Sequence, residues 1–336
     1  MFVRSVYISD YSDDYKLDKK CNLYFTSFHV PEELDDDFAS KASKLLRRLK
    51  AENKEVIVDL SPRGLNALGY DKIGDFVDEY DIDYIRFDYG FTEQDIMETK
   101  MHCGVVINAS TVRTNFFNEA TDGVIAIHNF YPRKETGLDL EYFESQNRLF
   151  RKAGIEIGAY ISSDKDLRGP LFEGLATIEE YRFLPPYVQY CLLKDKVDYV
   201  ILGDGGISDM QRDLIHLIEA DDVISIPVDF DEKYEHLYEK VFTVRVDSPE
   251  SLIRVKETRE YASFGEMIEP ENCIERGYGS ITIDNKKYLR YSGEIHISKK
   301  DFPEDDKVNV IGMINDEYKP LLDSLKRNSK FRFIRL

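Results

Sequence analysis

The stretch Val124-Ile125-Ala126-Ile127-His128-Asn129-Phe130-Tyr131-Pro132-Arg133 changes character halfway along its length. Its first four residues are apolar and typical of a buried β-strand. The residues that follow supply an imidazole, an amide, a phenol and a guanidinium, which are uncommon together in a protein core. The pattern therefore predicts a strand that ends at the edge of a pocket.

The same change from apolar strand to polar end recurs along the first two thirds of the chain. It is found at Val56–Asp59, Tyr84–Asp88, Val105–Asn108 and Tyr199–Asp204. Polar side chains that follow successive parallel strands form the active site of a (β/α)₈ barrel, or TIM barrel. This α/β fold class is our prediction for residues 1–230.

Eight strands and at least five amphipathic helices alternate in this part of the sequence. The predicted strands are Val3–Ser9, Asn22–Ser27, Glu55–Leu60, Asp83–Asp88, Gly104–Asn108, Gly123–His128, Glu156–Ile161 and Asp198–Leu202. The predicted helices are Asp37–Asn53, Asp71–Tyr80, Leu138–Ala153, Thr177–Lys194 and Asp209–Ala220. The segment Asp10–Cys21 is short and polar, so we expect little or no helix there. Pro31 and Ser208 are typical of helix starts.

Beyond residue 230 the pattern predicts a small β-rich domain, residues 231–336. Ser280–Ile283 and Tyr288–Ile297 flank the turn residues Asp284 to Lys286, which indicates a β-hairpin. The other elements predicted here are a helix at Tyr234–Val241, an extended segment at Thr243–Val246, a strand at Val308–Met313, a helix at Tyr318–Leu325 and a strand at Phe331–Ile334.

Composition limits the partners. The formal net charge is −19, which argues against nucleic acid or an anionic membrane as the partner. An anionic small molecule then needs a local basic pocket. The 4 cysteines have no paired spacing, and the amino terminus lacks the apolar run of a signal peptide. We therefore expect a protein of the reducing cytoplasm with no disulfide framework.

Carboxylates at the strand ends are the candidates for catalysis: Asp59, Asp88, Glu173 and Asp204. Two of them held close together suit the acid and the nucleophile or base of glycosidic cleavage. A separation of about 5–5.5 Å predicts retention of configuration, and about 6.5–9.5 Å predicts inversion. The alternative is that several of them pair with Arg86, Arg182 or the backbone.

The loops His128–Leu138 and Arg168–Glu179 carry the candidates for substrate binding. Arg133 and Arg168 suit a phosphate or carboxylate group, because guanidinium contacts such groups through two hydrogen bonds. Arg182 has either this role or that of a partner for Glu179 or Asp204. The remaining candidates for sugar contacts are His29, Tyr89, Asn108, His128, Asn129, Phe130, Tyr131 and Glu179.

Two other classes of function stay open. One is a barrel hydrolase or lyase with a metal on His29, His128 and Asp204, although the first strand lacks a His-x-His pair. The other is a sugar-phosphate-binding protein without catalysis. No lysine ends a predicted strand, which disfavours a Schiff-base aldolase, and no glycine-rich phosphate loop of the dinucleotide or P-loop kind is present. We predict no cofactor and no metal.

The chain resembles the cytoplasmic 6-phospho-N-acetylmuramidases, a bacterial family also described as outer-surface-protein-like. The resembling stretches are Phe25–Pro31, Arg86–Phe91, Asn108–Thr111, His128–Leu138, Arg168–Arg182, Ile201–Asp204, Ile281–Asn285 and Arg290–Glu294. The resemblance implies a TIM barrel followed by a cyclophilin-like β-domain. It also implies hydrolysis of the β-1,4 bond of the phosphodisaccharide N-acetylmuramic acid 6-phosphate–N-acetylglucosamine during cell-wall recycling.

Two positions depart from the pattern of that family. Ala176 stands where the family usually has proline, and Tyr181 stands where it usually has histidine. The second change removes a side chain that titrates near neutral pH. The short segment Asp10–Cys21 also departs from the fuller first helix of that family. Together these departures leave open a different phosphosugar specificity or a weaker enzyme.

Overall fold

Eight parallel strands close into a barrel in the first part of the chain. In this computed structural model the strands follow one another around the barrel in sequence order, and β8 pairs with β1. They are β1 Phe2–Ser5, β2 Leu23–Phe28, β3 Glu55–Leu60, β4 Tyr84–Phe87, β5 Gly104–Asn108, β6 Val124–Ile127, β7 Glu156–Ile161 and β8 Tyr199–Leu202. The predicted barrel and its eight strands are confirmed, with ends that differ by a few residues.

The structure describes residues 1–29, 36–87, 91–111, 122–259 and 267–336. The candidate site residues Asp88 and Tyr89, and the predicted helix start at Pro31, lie outside these ranges. Within them, no helix has the length and apolar character needed to cross a membrane.

Alternate residues of each strand fill the barrel interior. The apolar part of this interior includes Val3, Leu23, Phe25, Ile57, Val106, Ile125, Ile127 and Ile201. Neighbouring side chains of a strand point to opposite faces, so a residue two positions beyond an inward one also points inward. This rule places Asp59, Asn108 and Asn129 above Ile57, Val106 and Ile127. The carboxyl-terminal end of the barrel therefore has a polar layer on an apolar core.

Helices accompany most of the strands. They are α1 Phe38–Ala51, α2 Pro62–Ala67, α3 Ile73–Tyr80, α4 Glu93–Thr99, α5 Leu140–Lys152, α6 Pro186–Leu193 and α7 Asp209–Asp221. Helix α5 begins after Asp139, whose carboxylate accepts a hydrogen bond from Tyr142 N at 2.7 Å. The segment 10–21 forms turns without a helix, as predicted. Helices α2 and α4 were not predicted.

One predicted helix, Thr177–Lys194, is wrong. The chain instead forms a short 3₁₀ turn at Glu179–Tyr181 and then α6. Pro185 and Pro186 explain the break, because proline supplies no backbone N–H and clashes with the preceding helical turn. Helix α6 starts with Pro186 at its first turn, the position where proline is tolerated.

The chain divides into two units, Met1–Arg212 and Asp213–Leu336. The second contains a seven-stranded sheet in the order β10-β15-β9-β14-β12-β13-β11. Its strands are β9 Val223–Phe230, β10 Val241–Thr243, β11 Leu252–Arg254, β12 Ser280–Asp284, β13 Ile295–Ser298, β14 Val308–Ile314 and β15 Lys330–Ile334. A bridge between Val244 and Val255 joins the two edges, so the sheet curls on itself.

Three details of this second unit differ from the prediction. Strand β9 belongs to its sheet, so the domain change comes before residue 223 and not after residue 230. Strands β12 and β13 pair as the two arms of the predicted hairpin, but a 3₁₀ segment, Lys286–Tyr291, lies between them in place of a compact turn. The two predicted helices are 3₁₀ segments at Glu232–Leu237 and Asp316–Asp323.

Candidate active site

A buried ion pair lies at the centre of the polar layer. Asp59, near the end of β3, is 1% exposed and accepts a hydrogen bond from Arg86 Nη1 at 2.6 Å. Its other carboxylate oxygen accepts from Ser27 Oγ at 3.1 Å. Arg86 Nη2 donates to Asn129 Oδ1 at 2.6 Å. Side chains from β2, β3, β4 and the residues after β6 thus meet in one network, and the predicted alternative that Asp59 pairs with Arg86 is confirmed.

A turn after β5 holds Asn129 in place. Asn108 Oδ1 accepts a hydrogen bond from the backbone N–H of Ser110 at 2.9 Å. The hydroxyl of Ser110 in turn accepts from the backbone N–H of Asn129 at 2.9 Å. The carbonyl of Asn129 accepts from Thr177 Oγ1, also at 2.9 Å. Asn108 therefore positions the backbone of Asn129 through Ser110.

His128 points away from the barrel mouth. Because Ile127 faces the interior, the next side chain faces outward and lies beneath α5. Its Nε2 is 2.9 Å from Asn147 Oδ1, and its ring centre is 4.6 Å from that of Phe143. Burial lowers the pKa of His128 to about 4, which keeps the imidazole neutral at pH 7. This placement contradicts the predicted sugar contact.

Asp204 organises a loop and does not line the mouth. The residue is fully buried, and its carboxylate accepts backbone hydrogen bonds from Ser163 and Arg168, both at 2.9 Å, and from Leu175 at 3.2 Å. Burial raises the pKa of Asp204 above its usual value. Three donors from one loop occupy the carboxylate, so the structure contradicts its predicted catalytic role and assigns it to holding the loop after β7.

Arg168 lies over the ring of Tyr7. Its guanidinium carbon is 3.4 Å from the ring centre, a cation–π contact. The Tyr7 hydroxyl donates to the carbonyl of Gly203 at 2.5 Å, and burial raises the pKa of Tyr7 to about 12. Arg168 is half-buried, and its backbone is fixed by Asp204. The cation is therefore held at the end of β1 and β7, where the prediction placed it.

The half-buried Glu179 and the buried Arg182 form a second ion pair, which we call the loop clamp. Two contacts join their side chains, Nε to Oε1 at 2.9 Å and Nη2 to Oε2 at 2.5 Å. Arg182 also donates to the carbonyls of Tyr131 at 2.7 Å and Gly174 at 2.8 Å. The arginine lowers the pKa of Glu179 to about 2. The predicted alternative that Arg182 is a partner for Glu179 is confirmed. Arg182 is 2% exposed, which contradicts direct sugar binding by its side chain.

The clamp also holds the other loop. Glu179 accepts backbone hydrogen bonds from Glu135 and Gly137, each at 2.8 Å, so its carboxylate is occupied and not placed for a sugar contact. A Cβ on Gly137 would lie 2.7 Å from the Glu179 carboxylate, so only glycine allows this approach. The loops after β6 and β7 are therefore joined through one ion pair.

Arg133 and Glu173 remain at the surface of these loops. Arg133 is exposed, and within the described ranges its guanidinium forms no ion pair. Glu173 is partly exposed and accepts from the backbone N–H of Lys134 at 3.0 Å, with Lys134 Nζ 3.1 Å away. These contacts lower the pKa of Glu173. Tyr131 is half-buried on the same loop, and His29 is half-buried after β2.

The two departures from the family pattern occupy buried positions. Ala176 is 1% exposed, and its carbonyl accepts a hydrogen bond from Tyr131 N at 3.0 Å. Proline makes the same contact, because the contact uses the carbonyl and not the N–H. Tyr181 is largely buried within the 3₁₀ turn between Glu179 and Arg182.

The metal-site alternative finds no support in the geometry. Among the residues that the structure describes, His29, His128 and Asp204 do not form a group whose ligand atoms lie within reach of one ion. His128 is bonded to Asn147, and Asp204 is bonded to its loop.

Two tyrosines of the barrel interior, Tyr7 and Tyr160, were not identified from the sequence. Tyr7 carries Arg168, and Tyr160 lies in the interior core with Phe25 and Phe130. Side chains alternate between the two faces of a strand, so every second residue after an inward one also points inward. Counting in this way from Val3 leads to Tyr7, and from Gly158 to Tyr160.

The chain matches two family models in sequence order. A family model described as 6-phospho-N-acetylmuramidase, N-terminal, matches residues 14–216, and the corresponding C-terminal model matches residues 224–334. A search of curated proteins finds no match.

Two solved structures are similar over their whole length. A conserved protein of unknown function from Enterococcus faecalis is 28% identical, with a TM-score of 0.84 over 100% of this chain and 96% of that one. An uncharacterised Bacillus cereus protein is 24% identical, with a TM-score of 0.79 over 99% of each chain, which shows the fold alone. With both family models matched in order, the chain belongs to the 6-phospho-N-acetylmuramidase family of glycoside hydrolases.

Proposed function

We propose that this enzyme hydrolyses the β-1,4 bond of N-acetylmuramic acid 6-phosphate–N-acetylglucosamine. The family supports a phosphorylated muramic sugar as the substrate class. The observation that carries the proposal is the position of Arg133 and Arg168 on the loops after β6 and β7, at the same end of the barrel as the Asp59–Arg86 pair.

Charge supports an anionic substrate at these arginines. The disaccharide has a phosphate and a lactyl carboxylate, and a chain of net charge −19 repels both unless cations are placed locally. Arg133 is exposed, and Arg168 is held over Tyr7. A guanidinium binds phosphate or carboxylate through two parallel hydrogen bonds, so we assign these two residues to the anionic groups.

Asp59 is our choice for the first catalytic carboxylate. It points inward at the barrel mouth, and Arg86, Ser27 and Asn129 fix the network around it. An anionic carboxylate beneath the sugar stabilises the oxocarbenium-like transition state of glycosidic cleavage or attacks its anomeric carbon. We assign the second catalytic carboxylate to either Asp88 or Glu173.

Aromatic side chains supply the apolar contacts for the sugar. Phe130 and Tyr131 are half-buried on the loop after β6. The apolar face of a pyranose ring packs on such rings, and Tyr89 is a further candidate from the sequence. The loop clamp fixes the backbone of Tyr131, because Arg182 binds its carbonyl.

We also propose that the reaction takes place in the cytoplasm, in the recycling of cell-wall sugars. Among the described residues, no disulfide bond joins any two of Cys21, Cys103, Cys191 and Cys273, which is consistent with a reducing compartment. For the second unit we propose a cyclophilin-like architecture, supported by its curled seven-stranded sheet.

The test is product release from the synthetic phosphodisaccharide, followed by mass spectrometry, with the unphosphorylated disaccharide in parallel. We expect N-acetylmuramic acid 6-phosphate and N-acetylglucosamine from the first and far slower cleavage of the second. Added chelator leaves the rate unchanged. Thermal stabilisation by the phosphodisaccharide without any turnover contradicts the proposal and favours a sugar-phosphate-binding protein.

A further inference from the structure

The hydroxyl of Tyr160 is buried inside the barrel and forms no hydrogen bond with any residue that the structure describes. Tyr160 is the penultimate residue of β7 and is 1% exposed. Within the part of the chain that the structure describes, its oxygen contacts no donor or acceptor. A buried polar group in this state destabilises the fold, because it has lost its bonds to water and gained none.

The ring around this hydroxyl is firmly placed. Phe25 and Phe130 pack edge-on against it, with ring centres 5.4 Å and 5.1 Å away. The backbone N–H of Tyr160 donates to Thr177 Oγ1 at 2.9 Å, and its carbonyl accepts from Thr177 N at 3.0 Å. The unpaired oxygen is thus not the result of a loosely held side chain.

Its electrostatic neighbours are the residues of the polar layer. Burial raises the pKa of Tyr160 well above its usual value. The charge of Arg86 lowers this pKa by a smaller amount, and Asp59 and Tyr7 raise it. The phenol therefore keeps its proton and acts as a hydrogen-bond donor. Tyr160 packs against Phe130, and the residue before Phe130, Asn129, accepts a hydrogen bond from Arg86. The donor therefore lies below the loop on which the proposed function places the sugar.

We infer that the Tyr160 hydroxyl donates a hydrogen bond to an oxygen of the bound sugar. This inference rests on the proposed function, because it assumes that a sugar enters the barrel mouth. In this structure the oxygen is covered, so binding requires a neighbouring side chain to move. Phe130, half-buried on the loop after β6, is the ring that we assign to this movement.

This inference separates stability from activity. Tyr160→Phe removes a buried donor that has no partner, so the variant is expected to melt about 2–4 °C higher than the parent. The same change removes a bond to the sugar, so kcat/KM falls about 3–10-fold. If Tyr160 had a purely structural role, the substitution would lower both the melting temperature and kcat/KM.

Tyr7→Phe is the matched control for stability. Tyr7 is equally buried in the same core, but its hydroxyl donates to the carbonyl of Gly203 at 2.5 Å. Removing that hydroxyl leaves a buried carbonyl without its donor, so this variant is expected to melt at a lower temperature. Opposite shifts for the two variants distinguish an unpaired hydroxyl from a paired one.

Calorimetric binding of N-acetylmuramic acid 6-phosphate to both enzymes accompanies the kinetic assay. Weaker binding or lower kcat/KM in Tyr160→Phe, with a raised melting temperature, supports the inference. Unchanged binding and kcat/KM overturn it, and so does a melting temperature that falls as in Tyr7→Phe. A parent enzyme that binds the sugar phosphate but does not cleave the disaccharide refutes the proposed function, while the binding ratio still decides the role of Tyr160. Absence of both turnover and binding refutes the two together.

Discussion

Arg182 Nη2 lies 2.5 Å from Glu179 Oε2, and both residues belong to the loop after β7. Arg182 also donates to the carbonyls of Tyr131 and Arg133 in the loop after β6. The Glu179 carboxylate accepts from the backbone N–H groups of Glu135 and Gly137 in the same loop. The loop that carries Arg133 is therefore positioned by a residue that follows β7.

Replacement of Arg182 by methionine tests this clamp. The change leaves the Glu179 carboxylate and three backbone carbonyls, one of them the buried carbonyl of Gly174, without this donor. We therefore expect a loss of about 3–5 kcal/mol in the free energy of unfolding. Arg212→Met is the control, because Arg212 also pairs with an acid three residues away, Asp209, but at the surface. Its cost should stay within about 1 kcal/mol in urea titrations. Equal losses in the two variants contradict the clamp.

His128 makes stability depend on pH. Its pKa is about 4 in the folded chain, below the ordinary value of 6.5, so the unfolded chain binds the proton more readily. The stabilisation is complete above pH 6.5 and is lost as the pH falls from 6.5 towards 4. We expect the protonation of His128 to lower the free energy of unfolding by about 2 kcal/mol between pH 7 and pH 5. Urea titrations at both pH values should show a smaller pH dependence in His128→Asn, and an equal dependence in both proteins argues against a buried neutral imidazole.

Asp59→Asn tests the catalytic assignment. The variant should lose at least about 100-fold in kcat, because the transition state loses its carboxylate. It should also be less stable, because Arg86 is left buried without its counter-charge. The double variant with Arg86→Met separates these effects. We expect the double variant to recover much of the stability and none of the activity. Recovery of both stability and activity would show that Asp59 has a structural role alone.

Arg133→Ala tests recognition of the anionic group. A charge-assisted hydrogen bond contributes about 1.5–3 kcal/mol, so KM for the phosphodisaccharide should rise about 10–100-fold. The melting temperature should stay close to that of the parent, because the guanidinium is exposed. Arg327→Ala, another exposed arginine in the second unit, should change neither quantity. An unchanged KM for Arg133→Ala removes this residue from the site.

The barrel could be predicted because its strands are local features of the sequence. Runs such as Val56–Asp59 and Val124–His128 combine apolar residues with a polar end, and the chain closes them in sequence order. Asp59 and Arg133 were found in this way, because a polar residue after an apolar run is visible without any knowledge of tertiary contacts.

The roles of individual side chains could not be predicted from strand ends alone. His128 and Asn129 are neighbours in the sequence, but only Asn129 reaches the inward network, because successive residues of a strand face opposite sides. Asp204 also ends a strand, yet its carboxylate is occupied by three backbone donors from another loop. Such partners lie 29–41 residues away and are fixed only by the fold.

The most direct test of the central claim compares kcat/KM for the phosphorylated and unphosphorylated disaccharides, in the parent enzyme and in Arg133→Ala. Our account predicts a preference for the phosphorylated substrate of at least about 100-fold in the parent, which falls by about 10-fold or more in the variant. Equal kcat/KM values for the two substrates in the parent enzyme contradict it.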